Sequence, residues 1–302
     1  MKRGFFINLL ASLMPTRNLR HRVRAWKGFE SRQDRMEKEL ETIKNILMNK
    51  WRPSDCPPAG GLLRGIQLLL LEKMKYYTDM LDEYGIPYWL DFGTLLGAVR
   101  HKGYIPWDED VDIAIRREDR DKLMRMVEER GVKCEMINGP DALIRFEVMR
   151  LPGHSLHIDV FGYQSVRNLT PEQAQAVDRE MYARNKKQPV FTPDYGKKVL
   201  DYLAQQEQGG SGDSTVYVRG TESYITGCRH MAVREDVLFP LTTLPFEGFE
   251  MKVPARYMEY LTDIYGDFTA WPSYFREASA VPRLSSETKR GIANYMQDHH
   301  LL

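Results

Sequence analysis

The segment Tyr88–Ile115, YWLDFGTLLGAVRHKGYIPWDEDVDIAI, decides how this chain is read. Tyr88-Trp89-Leu90-Asp91-Phe92 is a short apolar run of strand composition. Gly93-Thr94 breaks it and opens the helical pattern Leu95-Leu96-Gly97-Ala98-Val99-Arg100. Trp107–Ile115 then alternates acid with apolar and predicts a second strand. Successive side chains of a strand face opposite ways, so Asp108, Asp110 and Asp112 are expected on one face and Val111 and Ile113 on the other. At that spacing neighbouring same-face carboxylates start roughly 6.5–7 Å apart at the backbone, and their tips can converge.

Three carboxylates on one face repel, and each alone is pushed toward protonation. A divalent, oxygen-seeking cation relieves that conflict, and Mg²⁺ suits one or two carboxylates plus substrate phosphates. A solvated acidic turn is the plain alternative. Against it, the acids run straight into Val111-Asp112-Ile113-Ala114-Ile115, where an unpaired charge is costly. A strand–Gly93-Thr94–helix junction also presents backbone N–H groups at a helix N-terminus, a setting that favours phosphate. Leu156-His157-Ile158-Asp159-Val160-Phe161 is a further strand carrying one carboxylate, with His157 on the same face as Asp159. Asp159 there requires a metal or a partner, and Arg145 is the alternative partner.

The run GTLLGAVRHKGYIPWDEDVDIAI resembles the signature of the LicD/fukutin family of phosphotransferases. The resemblance continues through His157–Phe161 and, more loosely, through Pro245-Phe246-Glu247-Gly248-Phe249 and Tyr260–Gly266. It covers about residues 65 to 275, with a gap at about 165 to 225. It implies an α/β (α+β) fold of nucleotidyltransferase type, a small mixed sheet with flanking helices. It also implies metal-dependent transfer of a phospho-alcohol from a CDP-activated donor to a glycan hydroxyl. On that resemblance Asp110, Asp112 and Asp159 are the expected ligands of Mg²⁺, with Mn²⁺ as the alternative. Asp108 is expected as second-metal ligand or proton acceptor, and Gly93, Thr94, Arg100 and His157 as donor- and phosphate-binding residues. Competing readings are a nucleotidyltransferase acting on a nucleoside triphosphate, a glycosyltransferase using Asp-x-Asp, and an inactive scaffold of the same fold.

The other segments assign supporting roles. With 302 residues, 42% hydrophobic, 28% charged and net charge +1, the composition is that of a soluble globular protein and gives no reason to expect nucleic acid as a partner. Residues 1–29, however, hold seven Lys or Arg and no acid beside the short apolar run Phe5–Met14. That pairing predicts peripheral contact with the inner membrane from the cytoplasmic side, because the run is too short to span a bilayer. A core-docked helix and a signal sequence are the alternatives. Cys56, Cys134 and Cys228 are odd in number, widely spaced and suited to a reducing compartment. Glu30–Trp51 is a charged helix with Met36, Leu40, Ile43 and Leu47 at coiled-coil spacing, a short basis for a homo-oligomer, and residues 30–61 are expected as helical extension and linker. The catalytic domain is expected over residues 62–302, opening with an amphipathic helix from Leu62 to Tyr84, and with a variable insertion at about 162–245 that shapes acceptor choice. Thr170-Pro171-Glu172-Gln173 is a capping box that starts a helix to about Lys187.

Overall fold

The computed structural model describes residues 17–137, 143–151, 154–187, 193–221, 228–271, 281 and 284–298. The chain forms two compact units, Met1–Asp55 and Cys56–Leu302. In the first, the described residues form helix α1, Arg17–Lys50, and a single 3-10 turn, Pro53–Asp55. The helix starts well before the expected Glu30; Arg17–Lys50 contains no proline, one glycine at Gly28 and many Arg, Lys, Glu, Leu and Met residues that favour a helix. The apolar run at residues 5–14 lies outside the described residues. No described helix is long and apolar enough to cross a membrane.

The second unit is a mixed α/β structure, and it confirms the expected fold class. It opens with helix α2, Gly61–Glu83, whose stripe of Ile66, Leu69, Leu70, Tyr77, Met80 and Leu81 is buried as its spacing predicts. Strand β1, Tyr88–Leu90, leads into helix α3, Phe92–His101, and strand β2, Asp112–Arg116, follows. Helix α4, Arg120–Arg130, ends at Gly131 in the left-handed region. Strands β3, Cys134–Ile137, β4, Leu143–Leu151, and β5, His154–Leu169, come next. Helices α5, Pro171–Lys187, and α6, Pro193–Gln208, precede strands β6, Ser214–Val218, and β7, Ala232–Arg234. The capping box forms as read: Thr170 N donates to Gln173 Oε1 at 2.8 Å and Gln173 N to Thr170 Oγ1 at 3.3 Å. A short helix α7, Glu235–Leu238, and the hairpin of β8, Thr242–Phe246, and β9, Phe249–Val253, lead to helices α8, Tyr257–Tyr265, and α9, Ser286–Asp298.

The main sheet runs β1-β2-β5-β4-β3, with β6 on β5 and β7 on β6. Among the described residues only β2 and β5 pair in parallel, and the other ladders are antiparallel. Strand β5 is far longer than the segment expected at Leu156–Phe161: one half pairs with β2 and β4 and the other with β6. Register then decides the site, because it sets Asp112 beside Asp159 and Asp159 beside Arg145. One expectation needs correction. Asp108–Val111 is loop, and the strand begins only at Asp112. The β8–β9 hairpin turns at Glu247-Gly248, where φ is 51° and 86°.

Candidate active site

The site forms where the N-terminus of α3, the loop before β2 and the start of the β5–β4 ladder meet. Asp91 caps α3, accepting from Phe92 N at 2.8 Å, while its own N–H donates to Asp112 O at 3.0 Å. Its carboxylate also accepts from Tyr163 Oη at 2.6 Å and Tyr260 Oη at 2.8 Å. Full burial raises Asp91, while the nearby Arg219 charge and these hydrogen bonds pull the other way. The Arg219 guanidinium lies over the rings of Tyr163 and Tyr260, at 5.5 and 4.8 Å. One buried carboxylate thus ties α3, β2, β5 and α8 together directly behind the acids.

Thr94 and Gly93 take more specific positions than a phosphate turn alone requires. Thr94 is buried, and its Oγ1 accepts from Asp112 N at 2.9 Å, fixing the strand start to the helix. A Cβ at Gly93 would lie 2.8 Å from Asp108 Oδ2, so the glycine admits that carboxylate against the helix. The loop that carries Asp108 is held from two sides. Gln67 Nε2 donates to Ile105 O at 3.2 Å and Asp108 O at 2.8 Å. Glu247 accepts from Tyr104 N at 3.1 Å and forms a two-pronged pair with Arg64 at 2.9 and 2.7 Å. Desolvation pushes Glu247 up, but the hydrogen bonds from Arg64 and Tyr104 win and hold it below its ordinary range. Glu247 is therefore a clamp for the loop.

Asp108, Asp110 and Asp112 converge although no common strand carries them. Burial, then the neighbouring Asp110 charge, raises Asp108 well above the ordinary carboxylate range. Burial, then Asp110, Asp159 and Asp108, raises Asp112 likewise. Asp110 is raised too, by desolvation first, although its outer face is exposed at the rim; the hydrogen bond from Asp108 lowers it. Asp159 is held differently. It accepts from Arg145 Nε at 2.8 Å and Nη2 at 3.4 Å, with His157 Nε2 at 3.6 Å. Among the described residues no three carboxylates, thiolates or imidazoles stand ready as a metal-binding group. The chemistry of the set nonetheless fits a hard divalent cation: crowded carboxylate oxygens, each made costly to ionise by the others.

The remaining expected residues lie around this centre. Arg100 is half-buried on the last turn of α3, where Nη1 donates to Phe268 O at 3.2 Å and desolvation lowers its pKa. His157 Nδ1 lies 3.1 Å from Ser155 O, leaving Nε2 toward Asp159. Trp107 stacks on Trp271, with ring centroids 5.7 Å apart. Asp91, Tyr163, Tyr260 and Arg219 had no assigned role, and an Asp inside an apolar strand was the one local signal for that cluster.

A family profile described as "LicD/FKTN/FKRP, nucleotidyltransferase domain" matches residues 85–194. The lipopolysaccharide cholinephosphotransferase LicD of Haemophilus influenzae is 25% identical over 244 residues, 70% of this chain and 92% of its own length. The human ribitol 5-phosphate transferase FKRP is 27% identical over 234 residues, 75% of this chain, and this chain spans 35% of its length. A crystal structure of the lincosamide antibiotic adenylyltransferase LnuA, lincomycin-bound, aligns over 75% of this chain and 95% of that one at 11% identity, with a TM-score of 0.32. The profile takes in Asp91, Asp108, Asp110, Asp112 and Asp159, so the site lies within the part of the chain that matches a LicD/FKTN/FKRP nucleotidyltransferase domain.

Proposed function

We propose that the chain moves a phospho-alcohol from a CDP-activated donor to a hydroxyl of a cell-surface glycan. The observation that carries this reading is the convergence of Asp108, Asp110 and Asp112 against the first turn of α3, with Asp159 in register beside Asp112. Asp110, Asp112 and Asp159 would hold Mg²⁺, or Mn²⁺ as the alternative, and Asp159 must leave Arg145 to join them. When bound, such an ion neutralises charge on the transferring phosphoryl group.

The residues of the chain supply the remainder by position. Asp91 and Thr94 hold the helix N-terminus, a favourable end for phosphate, against the strand that bears Asp112. Arg145, once released by Asp159, and His157 face the same edge as cationic or donating groups for the diphosphate. Asp108, packed against Gly93 on the first turn of α3, would take the proton from the acceptor hydroxyl as its carboxylate. The acceptor oxygen bonds to the phosphorus bearing the alcohol, the bond from that phosphorus to CMP breaks, and CMP leaves. Incubating the protein with a panel of CDP-alcohols, a glycan acceptor and Mg²⁺ should release CMP with one of them. Pyrophosphate release from a nucleoside triphosphate, with no CMP from any donor, would replace this reading with nucleotidyl transfer.

We also propose that residues 1–29 hold the chain at an anionic bilayer surface, each cation adding about 1 kcal/mol. Full-length protein should co-sediment with anionic liposomes at low salt and less at high salt. Equal pelleting of a variant lacking residues 1–29 would end that idea.

A further inference from the structure

Helix α1 carries an exposed apolar stripe. Met36, Leu40, Ile43, Ile46, Leu47 and Trp51 are between 41% and 62% exposed. Their spacing follows a heptad, with Leu40 and Leu47 at a positions and Met36 and Ile43 at d. In the sequence the same register runs back through Gln33 to Phe29 and Trp26. A stripe of this size on a single helix calls for a partner, and the flanking positions say which one.

In a parallel, in-register pair of such helices, each g position faces the e position five residues later on the other copy. Here g and e are Arg32 and Glu37, then Glu39 and Lys44, then Ile46 and Trp51. Each of the three pairings is complementary: two of opposite charge and one apolar with apolar. An antiparallel pairing centred between Met36 and Leu40 sets Glu37 beside Glu37 and Glu39 beside Glu39 of the second copy, which repel. The parallel, in-register pairing is therefore complementary at all three flanking contacts, whereas the antiparallel register with Leu40 opposite Ile43 matches Glu37 with Lys44 but sets Glu39 against Ile46.

We propose that the chain self-associates through a parallel, in-register coiled coil of residues 32–51. Leu at a with Ile at d is a combination that takes more than two strands, and the same e–g contacts recur between neighbours in such a bundle. The full chain is 35.2 kDa, so sedimentation should give a mass of about three to four chains, falling toward 35.2 kDa on dilution. Leu40→Glu with Ile43→Glu, both at exposed positions, should return the monomer without changing the thermal melt of the rest of the protein. Orientation is read separately. Glu39→Lys sets like charges against Lys44 and should weaken association about tenfold or more, and Glu39→Lys with Lys44→Glu should restore it. A wild-type chain that stays monomeric at every concentration would overturn the proposal. So would a Glu39→Lys variant that associates like wild type, or a charge swap that fails to restore it.

Discussion

Asp112 concentrates the conflict on which the site is built. Its N–H is fixed by Thr94, and its carboxylate faces Asp110, Asp159 and Asp108. Burial and those charges raise it well above the ordinary range, so its ionisation opposes folding near neutral pH. Asp112→Asn keeps the shape and the backbone hydrogen bond while removing one charge of the cluster. It should abolish transfer yet stabilise the metal-free protein by on the order of 1 kcal/mol at neutral pH. Rate assays with thermal melts separate the two effects: an active variant, or one inactive only because it is unfolded, would remove Asp112 from the machinery. Identity and spacing pointed to the acids themselves. Arg145, the alternative partner expected for Asp159, does hold it, because the register of β4 on β5 sets the two side by side.

At the level of elements, the loop of residues 102–108 depends on supports far away in sequence. Arg64 and Gln67 come from α2, and Glu247 comes from the turn of the β8–β9 hairpin. A Cβ at Gly103 would lie 2.4 Å from Glu247 Oε1, so the fit has little slack. Glu247→Gln preserves volume but leaves the half-buried Arg64 without its counter-charge and weakens the hold on Tyr104 N. The expected cost is about 1–3 kcal/mol of stability, with kcat falling more than KM because Asp108 is the group displaced. Unchanged kcat in a destabilised variant would reduce Glu247 to a purely structural role. These supports explain what was legible beforehand. The apolar stripe of α2 and the Thr170 capping box are local patterns and formed as read, whereas the break expected at Gly93-Thr94 falls at Asp91, and both residues lie in the first turn of α3. The alternation of acids at residues 108–112 imitated a strand, but among the described residues β5 reaches back only to Val111, whose O accepts from Asp159 N at 2.9 Å, and tertiary anchors at Ile105 and Asp108 hold the preceding residues as loop. The Asp91 cluster joins residues up to 169 positions apart, a distance no local window spans.

For the whole molecule, the acid cluster makes folding, protonation and cation binding one linked equilibrium. Asp91, Asp108, Asp110 and Asp112 all have folded-state pKa values above their ordinary carboxylate range. The folded protein therefore binds more protons than the unfolded chain once pH exceeds about 4, and the sign follows. Stability from these groups is full below the ordinary carboxylate pKa and is lost as pH rises through the raised values. Metal-free protein should accordingly show a falling Tm between about pH 5 and about pH 8. A cation bound by the same oxygens requires them deprotonated, so its stabilisation must grow over the same interval. Saturating Mg²⁺ should raise Tm little at the acid end and most at the alkaline end, flattening the profile. Asp108→Asn with Asp112→Asn should flatten the metal-free profile by itself and remove the response to Mg²⁺, which separates the cluster from Asp91 behind it. If Mg²⁺ shifted Tm equally at every pH, or shifted the double variant as much as the wild type, the cation would be bound elsewhere and these carboxylates would not be its ligands.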